Sequence, residues 1–266
     1  MIRQILVRVA LALALSLTLL PAQAQAPAAP ILPVTAIAAP PLNHRFPNNQ
    51  TFHYGVDWRV FNAGTATLRM EAAGREQRAL GTADSTGFVS ILFKVHDRFE
   101  SFFDPKTFCS RSISKHTEEG RRQLETEITF DQARGKSVLA EKNIRQNTAK
   151  SEENDIPPCV TDVLSAIYYL ASMPLNNGVE HRFPLNDGGK TAEVKAIVEA
   201  REELKVPAGA FKTVRVQVSA NTGPLKDKGT IEVWFSDDAA HTPVQIRARR
   251  FWGTLVFRLQ RIETTK

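Results

Sequence analysis

The strongest constraint on this chain is a two-residue rhythm. Phe52, Tyr54, Val56, Trp58 and Val60 are apolar, and His53, Gly55, Asp57 and Arg59 fill the gaps. Successive side chains of a strand point to opposite faces, so this alternation predicts a strand with one buried face. Asn62, Ala63 and Gly64 supply a turn, and Ala66, Leu68 and Met70 resume the rhythm, which predicts an opening hairpin. Further strands are expected over residues 77–83, 95–103, 110–118, 123–130 and 137–142. A second series is expected over 179–185, 191–203, 212–219, 229–235, 243–249 and 254–262. Residues 87–93 (GFVSILF) fit a short helix or a buried strand equally well, and the polar residues 143–158, ending in Pro157-Pro158, read as a loop.

Between the two series lies one helical signal. Val160, Val163, Leu164, Ile167, Tyr168 and Ala171 recur at helical spacing, Thr161 or Asp162 can cap the start, and Pro174 ends it. About a dozen strands at regular spacing around one helix predict a mainly β fold. The expected form is antiparallel meanders making a barrel-like or sandwich domain with one central α-helix.

The N-terminus points to export. Arg3 and Arg8 precede an apolar run over residues 9–20, Pro21 breaks it, and Ala22-Gln23-Ala24 supplies a signal-peptidase pattern. A second cut is available after Ala26. The apolar run is about a dozen residues, short of the roughly 20 that span a bilayer. No cysteine stands beside these sites to carry a lipid. Residues 1–26 are therefore expected to be a signal peptide, and the product a soluble periplasmic protein that does not span the membrane. Residues 27–48, rich in Ala and Pro, are expected to be a flexible spacer, and 49–266 a single domain.

The net charge of +6 is spread along the chain with acids and bases interleaved. That pattern argues against a nucleic-acid partner. The two cysteines, Cys109 and Cys159, both follow the signal, and an even count in an exported chain points to a disulfide. The alternative is two unpaired thiols.

No cofactor motif is present, and the six histidines (His44, His53, His96, His116, His181 and His241) show no metal-binding spacing, so no cofactor and no metal are expected. His96-Asp97 could orient a base, but no G-x-S-x-G elbow accompanies it. Asp237-Asp238 is a carboxylate pair at a strand end, where a turn role competes with acid–base work on sugars. Arg247, Arg249, Arg250, Arg258 and Arg261 could meet an anionic glycan or lipid phosphate, or could be solvated charge that guards strand edges.

Several segments in order resemble a known family. They are Tyr54-Gly55-Val56-Asp57-Trp58 with Ala63-Gly64-Thr65-Ala66, and Val95-His96-Asp97-Arg98-Phe99-Glu100-Ser101. Asp162-Val163-Leu164-Ser165-Ala166-Ile167-Tyr168-Tyr169-Leu170 and Val206-Pro207-Ala208-Gly209-Ala210-Phe211-Lys212-Thr213 follow. Val233-Trp234-Phe235-Ser236-Asp237-Asp238 with Thr242-Pro243-Val244 closes the series. Together they resemble the domain-of-unknown-function family 3108, exported proteins of Gram-negative bacteria. The resemblance implies a YmcC-like β fold of two meander halves. It carries no catalytic mechanism and no ligand-binding residues.

Three readings follow. The first is a non-enzymatic envelope protein that binds a glycan, a lipid or another protein. The second is a lipid or glycolipid carrier, with Phe99, Phe103, Trp234 and Trp252 lining a cavity under the helix. The third is a cell-wall glycan enzyme using Asp97 or Asp238. The absence of a catalytic constellation favours binding over catalysis.

Overall fold

A computed structural model describes residues 36–41, 44–220, 229–250 and 253–265. The expected signal peptide and its sites at Ala24 and Ala26 lie outside these residues, as does Trp252. Eight strands come first: β1 (Gln50–Trp58), β2 (Phe61–Ala73), β3 (Glu76–Ser85), β4 (Val95–Phe103), β5 (Ser110–Glu119), β6 (Arg122–Asp131), β7 (Lys136–Asn143) and β8 (Thr148–Asp155). Helix α1 (Gly87–Leu92) joins β3 to β4, and helix α2 (Ser165–Ser172) follows β8. Six more strands complete the chain: β9 (Glu180–Asp187), β10 (Lys190–Val206), β11 (Gly209–Ala220), β12 (Ile231–Ser236), β13 (Pro243–Arg250) and β14 (Gly253–Thr264).

All fourteen strands form one antiparallel sheet, ordered β8-β7-β6-β5-β4-β3-β2-β1-β14-β13-β12-β11-β10-β9. Two meanders are thus joined where the first strand pairs with the last, Gln50 opposite Thr264 and Trp58 opposite Leu255. The mainly β, barrel-like expectation holds, although the sheet does not close, since β8 and β9 do not pair.

Three local departures have physical causes. The first turn falls at Arg59-Val60, not at Asn62–Gly64, and Val60 is exposed. The register shift opposite Val56 and Asp57 leaves Ala63 of β2 as an extra, unpaired residue, so Asn62–Gly64 holds a bulge rather than the turn. Residues 148–155, expected as loop, form β8. Nearly all its side chains are exposed, so it has no apolar face to alternate, and Lys150, Glu152 and Glu153 blunt its open edge. Residues 87–92 take the helical option, and none of that helix is buried.

The sheet curls around α2, whose Tyr168, Tyr169 and Leu170 are buried against Phe183, Phe235 and Leu259 in the main core. Asp162 caps this helix. Its Oδ1 accepts from the backbone N–H of Leu164 at 2.8 Å and of Ser165 at 3.1 Å, while Ser165 Oγ accepts from the Asp162 N–H at 2.9 Å. That is the reciprocal logic of a capping box.

Just before the helix, a two-residue clasp ties the halves together. The Ser110 N–H donates to the Val160 carbonyl at 2.8 Å. The Thr161 N–H donates to the Pro184 carbonyl at 2.9 Å, and the Asn186 N–H to the Thr161 carbonyl at 2.8 Å. The segment therefore hydrogen-bonds to β5 and β9 at once. Cys109 and Cys159 flank it at disulfide distance, Sγ to Sγ 2.08 Å. A second small core of Ile113, Ile128, Phe130, Leu139, Ile156 and Val160 lies under β5–β7.

The described part of residues 27–48 touches the core. Ile37 and Phe46 pack against the main core, and the Ala38 N–H donates to Tyr169 Oη at 3.2 Å. Phe46 lies 5.4 Å from the Phe108 ring and 6.0 Å from Phe103. Ile37 and Phe46 thus find apolar partners in the core.

Candidate functional site

An antiparallel meander sends alternate turns to opposite ends, and the two ends of this sheet differ. At the end that carries the β2–β3, β4–β5 and β6–β7 turns, the inward side chains are fully buried. Phe52, Met70, Ala79, Phe103 and Leu259 all belong here. Phe108 stacks on Phe103 at 5.2 Å and meets Tyr169 edge-on at 5.5 Å, which closes this end. Phe108 adopts φ of 58°, costly for an aromatic residue, and this packing holds it there.

At the other end, which carries the β1–β2, β3–β4, β5–β6 and β13–β14 turns, the same inward rows become half-buried. Ala83, Val95, Asp97, Phe99, Leu255 and Phe257 are the residues concerned. Between them lies a cavity of about 240 Å³. Tyr54, Leu68, Ala83, Phe99, Ile246 and Phe257 line it from six strands, and Leu164 and Ile167 from the helical segment. A Cβ at Gly81 would stand 2.9 Å from Leu164 Cδ2, so glycine there lets this segment close down on β3.

Asp97 is the one carboxyl on the lining. Its Oδ1 accepts from the Glu118 N–H at 3.0 Å. Burial pushes its pKa up to about 6, the nearby Glu119 carboxylate adds to the rise, and the Glu118 N–H, Arg122 and His116 oppose it. Lys115 stands beside the lining: its Nζ lies 5.6 Å from the Phe99 ring centroid and pairs with Asp187 of β9. This arrangement can shelter an apolar group and place one proton-bearing carboxyl beside it.

The other candidates fall elsewhere. His96 is adjacent to Asp97 and so points to the opposite face, where its Nδ1 meets Asp84 Oδ1 at 2.7 Å. Asp238 serves its turn, accepting from Ser236 Oγ at 2.8 Å and the Ala240 N–H at 2.9 Å, while Asp237 pairs with Arg201 at 3.0 Å. Asp238 is not on the lining of the cavity that carries Asp97. Among the described residues, no group of three His, Cys, Asp or Glu is placed to hold a metal ion.

The arginine stripe is matched by acids. Arg247 and Arg249 reach Glu232 at 3.3 and 3.2 Å, Arg258 pairs with Asp57, and Arg261 stands 3.8 Å from Glu263. Of the aromatics expected to line a cavity, Phe99 does so. Phe103 is packed into the closed end, and Trp234 is buried beneath the Arg247 guanidinium at 4.7 Å, donating to Glu202 at 2.7 Å. Sequence reasoning missed Ile246, Phe257 and Ile167 as lining residues. Each sits at an inward position of a recognised pattern, but the pattern does not distinguish a filled interior from a hollow one.

The family described as protein of unknown function (DUF3108) matches residues 53–260. No curated protein matches the chain. Among solved structures, the chain is similar to a β-barrel-like protein of domain of unknown function DUF1849 from Brucella abortus. The identity is 6%, the TM-score 0.58, and the match covers 87% of this chain and 100% of that one. It is also aligned with a candidate exported protein with YmcC-like fold from Bacteroides fragilis, at 10% identity and TM-score 0.36, over 83% of this chain and 98% of that one.

Proposed function

We propose, from the premise that the chain belongs to the DUF3108 family of proteins of unknown function, that it is an exported periplasmic binding protein whose cavity shelters an apolar ligand. The observation that carries this reading is the cavity at the open end: about 240 Å³, lined by apolar side chains from six strands and the helical segment, with one carboxyl. It exceeds the roughly 150 Å³ of an engineered apolar cavity that binds benzene. It falls just below the roughly 300 Å³ where drug-sized sites begin. That size suits one end of an acyl chain or a compact apolar group.

Export rests on the N-terminal signal pattern. The binding reading accords with the isolation of Asp97 from any second carboxyl or histidine on the lining, where the Tyr54 hydroxyl is tied to the Pro243 carbonyl at 2.7 Å. Native mass spectrometry of the protein purified gently from its producing cells tests it. The expected result is a co-purifying species of lipid mass that dissociates on activation. Only bare protein, together with no binding of a fluorescent fatty acid, would sink the reading.

A further inference from the structure

The open end of the sheet carries a surface that the cavity alone does not require. Nine large apolar side chains are exposed among the described residues, and seven of them sit at this end: Val60, Phe61, Phe88, Ile91, Leu92, Phe93 and Ile144. Their exposure runs from 42% at Ile144 to 87% at Val60. Scattered exposed apolar residues are ordinary, but a contiguous group marks an interaction site.

This group is contiguous. The Thr86 N–H donates to the Ala63 carbonyl at 3.0 Å, which seats α1 beside the β1–β2 turn. A Cβ at Gly120 would lie 2.8 Å from the Phe93 ring, so the exit of α1 rests on the β5–β6 turn. The Ile144 N–H donates to the Gln123 carbonyl at 3.0 Å, which brings the β7–β8 turn alongside.

Charge identifies the occupant. The described turn residues at this end, 59–60, 86–94, 120–121 and 144–147, include Arg59, Lys94, Arg121 and Arg145 and no acid. Glu118 and Glu119, just inside, pair with Lys94 and Arg122. The turns of the closed end mix both signs, with Arg75, Asp104, Lys106, Arg134, Asp237 and Asp238, and present no large exposed apolar side chain among the described residues. Apolar side chains that project from a rim of cations match an anionic lipid surface, where the former enter the acyl boundary and the latter meet phosphates. A second copy of this chain would bring the same four cations face to face.

We infer that the open end docks on an anionic lipid surface, through Phe88, Ile91 and Leu92 of α1 and Val60-Phe61, with Arg59, Lys94, Arg121 and Arg145 meeting the headgroups. This rests on the reading of the cavity as an apolar ligand site and adds its source, because the mouth faces the layer from which such a ligand leaves.

Flotation with vesicles tests it. The full chain, processed as its host processes it, is mixed with vesicles of phosphatidylglycerol and phosphatidylethanolamine or of phosphatidylcholine alone. The expected result is flotation with the first, weakened several-fold by about 0.5 M salt, and little with the second. The double variant I91D/L92D changes only exposed side chains, and is expected to reduce the bound fraction at least tenfold. Equal flotation of variant and wild type, or no flotation of the wild type, overturns the inference. So does concentration-dependent dimerisation that the same variant abolishes without any vesicle binding. Fluorescent fatty acid binding without vesicles reads the cavity separately. If it persists while flotation fails, the docking inference falls and the cavity reading stands; the reverse result condemns the cavity alone.

Discussion

Ser110 Oγ donates to the fully buried Asp162 carboxylate at 2.6 Å, joining the first residue of β5 to the cap of α2. Ser101 Oγ donates to the same oxygen at 2.5 Å, and the other oxygen holds two helix N–H groups. A buried carboxylate is tolerable when its acceptor sites are filled in this way. Asp162→Ala would leave the Ser101 hydroxyl and the helix terminus unsatisfied, while Ser110 keeps Ser165 Oγ at 3.0 Å. The expected loss is about 2–4 kcal/mol, from a cap worth about 1 and one buried donor worth about 1–3. Urea unfolding measures it, and a loss below about 1 kcal/mol would contradict this account of the network.

Cys109 and Cys159 flank the clasp, 50 residues apart in sequence. If they are bonded in the exported protein, a thiol titration of unreduced, denatured material finds no free thiol. Replacing both by serine is then expected to lower stability by up to about 4 kcal/mol, the chain-entropy figure for a loop of this length. Two titratable thiols would show the pair to be open.

The Asp97 carboxyl gives a pH signature. Its pKa is near 6 in the fold, against about 3.9 in an unfolded chain. The folded state therefore holds the proton more tightly. Stability from this group is fully present below about pH 4 and is lost as pH rises through about 6. Asp97→Asn keeps an acceptor for the Glu118 N–H and removes the charge. The variant is expected to be more stable than wild type at pH 7.5 by about 1 kcal/mol, a figure reduced because the group is half-buried. The difference should vanish near pH 4, as thermal melts across that range would show. A constant difference would place its cause elsewhere.

Ala83 lines the cavity near its mouth and is half-buried. Ala83→Phe would fill part of the hollow with apolar volume. Affinity for a fluorescent fatty acid is expected to fall at least tenfold, with the melting temperature unchanged or slightly raised. Unchanged affinity would put the ligand outside this cavity.

Much of the fold was legible because alternation reports burial directly. The strands that carry Phe52 and Tyr54, or Val214 and Val216, bury those residues as their spacing demands. β8 was illegible because a strand with no buried face leaves no period. The turn at Arg59-Val60 was obscured because the turn-like residues Asn62–Gly64 hold a bulge instead. The cavity was harder still. Phe99 and Phe103 occupy equivalent alternate positions on β4, yet one lines a hollow and the other is sealed under Phe108. That difference comes from what the far strands and α2 bring across the interior, which no local pattern of β4 records.

The pairing of β1 with β14 also shapes how this chain is made. Gln50 meets Thr264 and Trp58 meets Leu255, so the central seam joins segments about 200 residues apart. Local hairpins form in microseconds, but a ladder of such separation waits for the whole chain and its loop-closure entropy. A chain made N-terminus first presents β1 early and β14 last. Throughout that interval one edge of β1 stands open beside Phe52 and Tyr54, a template for pairing with neighbouring chains. The sheet's last step of assembly is thus also its period of greatest exposure to aggregation, and a chaperone that binds extended apolar segments would act on that interval.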